Sequence, residues 1–320
     1  LCIFLRLCLY VSYGGWDFMK KARIIYNPTA GRETFKKDIG NVLQALEQAG
    51  YESSTHATTG EGDAEKAAKA AVDRRFDLVV AVGGDGTINE VINGLAEEDY
   101  RPKLGIIPAG TTNDFARALQ IPKHSKKAVE VITSGLTTPL DVGKVNDQYF
   151  INIAGGGELT ELTYEVPSKL KTVLGQLAYY IKGIEMLPFI KPVHVEIEYD
   201  GTVIEEDIML FLVANTNSVA GFEKLAPNAK INDGYFDLIV LKRTNLADFI
   251  RLATLALRGN HLNDERVLYV QAKHIKVTPT ERMRLNIDGE YGGLLPCDIT
   301  NLKQHIECFV PESFLENHES

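Results

Sequence analysis

Polar and apolar positions alternate in blocks that change character once along the chain. In the first half, short apolar runs at 23–26, 51–57, 78–82 and 104–107 are separated by segments with a helical repeat. Phe35, Ile39, Val42, Leu43 and Leu46 share one helical face that stops at Gly50, and 63–74 is an alanine-rich helix. Further helices open after 83–87 and after 108–114, and Ser125 is placed to cap one over 126–133. Strand and helix alternating at this spacing predict a parallel, doubly wound α/β sheet. Near Leu140-Asp141-Val142-Gly143 the texture changes. Strand-like runs then dominate, at 149–154, 193–199, 208–214, 235–241, 267–270, 275–277 and 283–287, with helices at 169–187 and 246–258. Val193, Val195, Ile197 and Tyr199 alternate with polar residues, as in a half-buried antiparallel strand. The pattern predicts an α/β domain over 19–142 and a β-rich, antiparallel domain over 143–310 whose C-terminal end returns to the first. The cleft between them is the expected active site.

Composition narrows the function classes. A chain of 320 residues with 45% hydrophobic and 24% charged content can build two full cores. The formal net charge of −9, without any basic run, argues against a nucleic-acid binder. Four cysteines without a C-x-x-C pair suggest neither a zinc site nor a disulfide framework, so a reducing cytoplasm is expected. Residues 1–18 look foreign: Leu1 to Tyr13 is apolar but too short to span a membrane, and Arg6 interrupts it. They are expected to be a non-native, upstream-extended start, with Met19 as the true one.

The chemistry concentrates in polar turns after the strands. Val79-Val80-Ala81-Val82 runs into Gly83-Gly84-Asp85-Gly86-Thr87, and a helix follows at once. Glycines let the backbone approach an anion, and the N–H groups of a helix start point at it. The carboxylate of Asp85 suits phosphate only with a cation between them, most simply Mg²⁺. A glycine turn with an Asp capping a helix would look the same in isolation. However, Asn27-Pro28-Thr29-Ala30-Gly31 and Thr58 are expected at the same sheet edge as Gly83–Thr87, and ligands of doubly wound sheets sit at that edge. The P-loop pattern is absent, and Gly84-x-Gly86 has Asn89 where the dinucleotide fingerprint has its third glycine.

Four motifs together resemble the catalytic domain of diacylglycerol kinases: Asn27-Pro28 with Gly31, Gly83–Thr87 with Asn89-Glu90, Pro108–Phe115, and Asn286-Ile287-Asp288-Gly289-Glu290. The similarity runs from about Met19 into the 310s and is to the soluble bacterial enzymes of Gram-positive organisms, not to the small integral-membrane kinases of the same name. The glycine motif alone is shared with NAD kinases and phosphofructokinases. The resemblance implies a nucleotide-binding α/β domain facing a β-sandwich-like domain. It also implies an ATP site lined by Asn27, Pro28, Thr29, Ala30, Gly31, Thr58, Gly84, Asp85, Gly86, Thr87, Ile88, Asn89, Glu90 and Thr111. Asp85 and Asp114 are expected in an Asp–water–Mg²⁺ network, although an Asp opening a helix is equally an N-cap.

By the same resemblance Glu290, at a glycine turn after a strand, is the base for the acceptor hydroxyl. A structural Mg²⁺ is implied at Asp233 and the carbonyls of Lys230 and Tyr235, in a stretch that on its own is an ordinary turn. The implied activity is phosphorylation of 1,2-diacylglycerol to phosphatidic acid by a cytoplasmic protein that visits the membrane surface. Residues 187–191 with Lys169, Lys171 and Lys182 offer an apolar tip with basic neighbours for docking, or else a helix face for a core. A homodimer is the common state of the group. Another lipid alcohol (polyprenol, sphingoid base or other glycerolipid) as acceptor, a NAD kinase, and a catalytically silent nucleotide-binding protein are the alternatives.

Overall fold

The structure is a computed structural model that describes residues 19–30, 35–157, 191–217 and 224–318. Residues 1–18, Gly31, the helix expected at 169–187 and most of the proposed docking tip (187–190) lie outside the described residues.

The first half folds as its periodicity dictates. Strands β1 (Lys20–Tyr26), β2 (Tyr51–Ala57), β3 (Leu78–Gly83) and β4 (Lys103–Pro108) are parallel in the order β2-β1-β3-β4. Every residue of β3 is buried, which is why its sequence is continuously apolar and not alternating. Helices α1 (Phe35–Gln48) and α5 (Ser125–Ser134) pack together, as do α2 (Asp63–Asp73) and α3 (Asp85–Leu95). This is the doubly wound arrangement. The short helix α4 is Asp114–Ala118. Ser125 is not the expected cap. It is the first residue of α5, and its hydroxyl is instead bonded to Asp38 of α1.

The second half is antiparallel. Strands β5 (Thr137–Val145), β6 (Gln148–Phe150), β7 (Ile153–Gly156), β8 (Val193–Tyr199), β9 (Thr202–Ala214) and β10 (Phe236–Lys242) are followed by helix α6 (Leu246–Arg258). Then come β11 (Val267–Ala272), β12 (His274–Pro279), β13 (Arg284–Ile287), β14 (Glu290–Leu294), β15 (Cys297–Phe309) and helix α7 (Glu312–His318). The run expected as one strand at 149–154 is split into β6 and β7, because residues 151–153 turn their N–H groups to a side chain and not to a neighbouring strand. Among the described residues no helix is long and apolar enough to cross a membrane.

The halves share one hydrogen-bonded sheet. The start of β15 pairs with β12, its length pairs antiparallel with β5, and Cys308 lies parallel beside Leu104 of β4. Cys297 and Ile299 therefore lie in the second core, and Ile306, Cys308 and Phe309 in the first. Between them the register of β15 slips, and Gln304 adopts φ 50°. Buried Asp141 of β5 holds this irregularity: Oδ1 accepts from Gln304 N (2.7 Å) and Oδ2 from Gly234 N (2.6 Å). Burial raises the Asp141 carboxyl above its ordinary range, while the two N–H groups pull the other way. Replacing Asp141 by Ala leaves two buried donors unpaired. Unfolding free energy should fall by about 2–4 kcal/mol in urea titration, with less loss for Asp141→Asn.

Candidate active site

Three loops at the carboxyl ends of β1, β2 and β3 enclose an open cleft of about 250 Å³. Asn27, Pro28 and Thr29 form one wall, Thr58, Thr59, Gly60 and Glu61 a second, and Ala64, Thr87 and Glu90 the floor. Backbone bonds knit the loops together: Asn27 N donates to Val82 O (3.0 Å) and Thr58 N to Tyr26 O (2.9 Å). The Asn27 side chain does not face outward. Its Oδ1 accepts from Thr29 N (2.9 Å) and Thr29 Oγ1 (2.8 Å), which closes the turn. The starts of α2 and α3 meet here, with Glu90 Oε2 of α3 accepting from Ala64 N of α2 (3.0 Å). Asp63 takes Thr59 N–H and OH on one oxygen, and these bonds lower its pKa.

The glycine turns after β3 and β4 touch. A Cβ on Gly110 would lie 2.4 Å from Gly84 Cα, so only glycine permits this approach. Asn113, buried in the left-handed region (φ 52°), closes the second turn by accepting from Gly110 N and donating to Gly110 O, both at 2.8 Å. Asp85 is the first residue of α3, yet it serves a different helix. Its Oδ1 accepts from Phe115 N of α4 (3.1 Å). Asp114 is buried and bridged by Arg117 at 3.4 Å, and Asn113, not Asp114, is the N-cap of α4. Of the expected ATP-site residues, Thr111 is exposed and does not line the cleft. Ile88 is fully buried, and its N–H is spent on Gly84 O (3.1 Å).

Across the cleft, Ile287-Asp288-Gly289-Glu290 makes a two-residue hairpin between β13 and β14. Asp288 (φ 49°) and Gly289 (φ 94°) both have positive φ, as an Asp-Gly type I′ turn requires, and Ile287 pairs with Glu290. The turn sends the exposed Glu290 carboxylate over the first glycine loop. A Cβ on Gly86 would stand 3.7 Å from Glu290 Oε1. Glu290 and the first glycine loop, 204 residues apart in sequence (290 minus 86), thus share one site.

Asp288 itself is enclosed at the carboxylate, though the residue is only half-buried. Oδ1 accepts from Asn152 N and Ile153 N, and Oδ2 from Ile151 N and Asn89 Nδ2, all at 2.8 Å. Burial pushes its pKa up to about 6 against the lowering effect of these four donors. Asn89, expected at the nucleotide, spends its amide on Asp288 and Tyr149 O (3.1 Å).

The turn at 230–235 lies apart from this cleft, against β5 and β15. Asp233 Oδ1 accepts from Tyr235 N (2.9 Å), and its charge adds to burial in raising the carboxyls of Asp141 and Asp237. Among the described residues no three His, Cys, Asp or Glu side chains converge as a ready-made metal cage.

Comparison with known proteins decides the family. The diacylglycerol kinase catalytic domain model matches residues 21–145, and the YegS C-terminal NAD kinase beta sandwich-like domain model matches residues 162–310. The chain belongs to the diacylglycerol kinase family. The diacylglycerol kinase of Bacillus subtilis (strain 168) is 63% identical over 93% of this chain and 99% of its own length. One from Staphylococcus epidermidis is 53% identical over 93% and 96%. A crystal structure of a diacylglycerol kinase from Bacillus anthracis superposes with a TM-score of 0.77 at 31% identity, over 93% of this chain and 99% of the other.

In the kinase, sequence reasoning overlooked Asp288, Asn113 and the wall of Thr59, Gly60 and Glu61. Asp288 stood inside a motif read for its glutamate, and the Asp-Gly turn signal was the available clue. Two predictions follow from the geometry. Gly110→Ala forces the two turns apart. It should cost about 1–3 kcal/mol of unfolding free energy and weaken ADP binding in calorimetry. Asp288 has a folded pKa of about 6 against an unfolded value near 3.8. Its contribution to stability is therefore fully present below the unfolded value and is lost as pH rises through the folded one. The gap is worth about 3 kcal/mol. The stability of the wild type relative to Asp288→Asn should fall by about that much between pH 4 and 7 in urea titrations.

Proposed function

We propose that this kinase transfers the γ-phosphoryl group of ATP to the free hydroxyl of 1,2-diacylglycerol, giving phosphatidic acid and ADP. The observation that carries the reading is Glu290 standing over Gly86, a proton acceptor beside a phosphate cradle. Phosphoryl transfer has a loose, highly charged transition state, so positioning and electrostatics do most of the work. The backbone of Gly84–Thr87, at the start of α3 and exposed at Gly86, would hold the phosphates, with Asn27, Pro28, Thr29 and Thr58 along the nucleotide. Glu290 would take the proton of the acceptor hydroxyl as its oxygen bonds to the γ-phosphorus and the bond to ADP breaks.

The donor chemistry fits Mg²⁺. Asp85 gives Phe115 N–H only one of its oxygens, and hard oxygen ligands from one or two carboxylates plus phosphate are the usual Mg²⁺ set. Asp85, with Asp114 behind it, would hold that ion, which supplies neutralisation of phosphate charge when bound. Asp233, with the Lys230 and Tyr235 carbonyls, fits a second, structural ion on the same grounds, since its charge already weighs on buried Asp141 and Asp237. We read residues 19–142 as the ATP-binding unit and 143–310 as the lipid-facing unit. The enzyme would work in the cytoplasm, where ATP is, with transient access to the membrane surface, where the acceptor is, and as a homodimer.

The test is labelled-ATP transfer in mixed micelles against diacylglycerol, a polyprenol, a sphingoid base and NAD, with and without chelator. Diacylglycerol should be the preferred acceptor, and EDTA should abolish transfer. Glu290→Gln should lose about a hundredfold or more in kcat with ATP binding kept. Near-normal turnover of that variant would remove Glu290 from the chemistry, and a preferred acceptor other than diacylglycerol would overturn the substrate assignment.

A further inference from the structure

Glu290 sits on a strand with little lateral support. Among the described residues β14 is the outermost strand of the sheet and pairs with β13 alone. Backbone pairing fixes the register of the hairpin within the sheet, but among the described residues it makes no bond from β13 or β14 to the first half of the molecule, which carries the phosphate loop. The Asp288 side chain, two residues before the base, links the hairpin to that half. One of its bonds goes to Asn89, four residues after Asp85 on the helix that begins at the phosphate loop. The other three go to consecutive N–H groups between β6 and β7, and Asp288 N donates to Ile153 O (2.9 Å). Asn89 is itself braced by Tyr149 O, and Asn93 donates to Asn89 O and Oδ1 (both 2.9 Å).

The turn alone does not call for a carboxylate. Asn-Gly serves a type I′ hairpin as well as Asp-Gly does. Four converging N–H donors do call for one, because a carboxylate offers two oxygens and no donor, whereas an amide would turn its own NH₂ against two of them. Building on the assignment of Glu290 as the base, we propose that Asp288 is a positioning residue for phosphoryl transfer. Its carboxylate locks the base-bearing hairpin to the nucleotide helix through Asn89 and so sets where Glu290 stands over Gly86. Displacing a reacting group by about 1 Å can cost on the order of a hundredfold in rate, so the lock belongs to catalysis as well as to folding.

The experiment compares Asp288→Asn, Glu290→Gln and the double variant of the full chain, in ATP transfer to diacylglycerol in mixed micelles. A cooperative unfolding transition of each variant verifies that it is folded. Asp288→Asn should lower kcat by about 30-fold or more while KM for ATP stays within about threefold. The double variant should be no more than about threefold slower than Glu290→Gln, because a misplaced base cannot be lost twice. Asn89→Ala, which removes one bond from the far side and leaves the hairpin sequence intact, should lower kcat about fivefold or more, again with KM for ATP nearly kept. It decides the matter if Asp288→Asn does not fold. Wild-type kcat in the variant that reports, a loss confined to KM for ATP, or fully multiplicative effects of 288 and 290 would overturn the proposal. Glu290→Gln with normal turnover would overturn the base assignment itself, a result distinct from a silent Asp288.

Discussion

Two peptide backbones in contact, at Gly84 and Gly110, govern the geometry at the carboxyl ends of β3 and β4. That approach sets the start of α3 beside the start of α4, and Asp85 can then reach across to cap a helix in a different loop. Once Asp85 is anchored on Phe115 N, one of its oxygens is fixed in direction and the other is left for chemistry. Buried Asn113 holds the second turn from behind. At these two turns there is no side chain to place, so the contact is set by main chain alone.

Two buried carboxylates then join the halves, by the same device at different places. Asp141 gathers N–H groups from β15 and from the 230–235 turn, and Asp288 gathers them from the β6–β7 loop and from α3. In both, burial raises the pKa although the hydrogen bonds oppose it, so each charge is held at a cost in stability. Neutral residues would spare the desolvation cost but leave some of these donors unpaired. Charged ones fix the register where the halves join, because a carboxylate surrounded by donors tolerates few other arrangements.

Much of the fold was legible in the sequence, for a physical reason. Strands and helices of the first half bury one face or both, and burial writes itself as periodicity, as in the wholly apolar β3 and the stripe of α1. The glycine turns stood out because glycine beside a strand end has few other uses, and two of them make the close approach at Gly84 and Gly110. What escaped notice depends on partners distant in sequence. β15 hides because Lys303-Gln304-His305 interrupts its alternation, and the reason for the interruption, Asp141, lies some 160 residues earlier. The split between β6 and β7 follows from Asp288, and the capping role of Asp85 from a loop 30 residues on. Local propensity carries no record of such bonds.

The shared strand has a consequence for how the protein is made. Chains emerge from the ribosome N-terminus first, and domains often fold as they appear. Here the α/β half cannot complete its sheet in that order. The strand that covers the outer edge of β4 ends at Phe309, and Phe314 of α7, a fully buried residue of that same core, arrives later still. Until nearly the whole chain is synthesised, β4 presents an open hydrogen-bonding edge of the kind that pairs with other chains. The α/β half is thus finished last although it is translated first: Ile306 to Phe314, which close its core, follow Cys297 and Ile299, which complete the second.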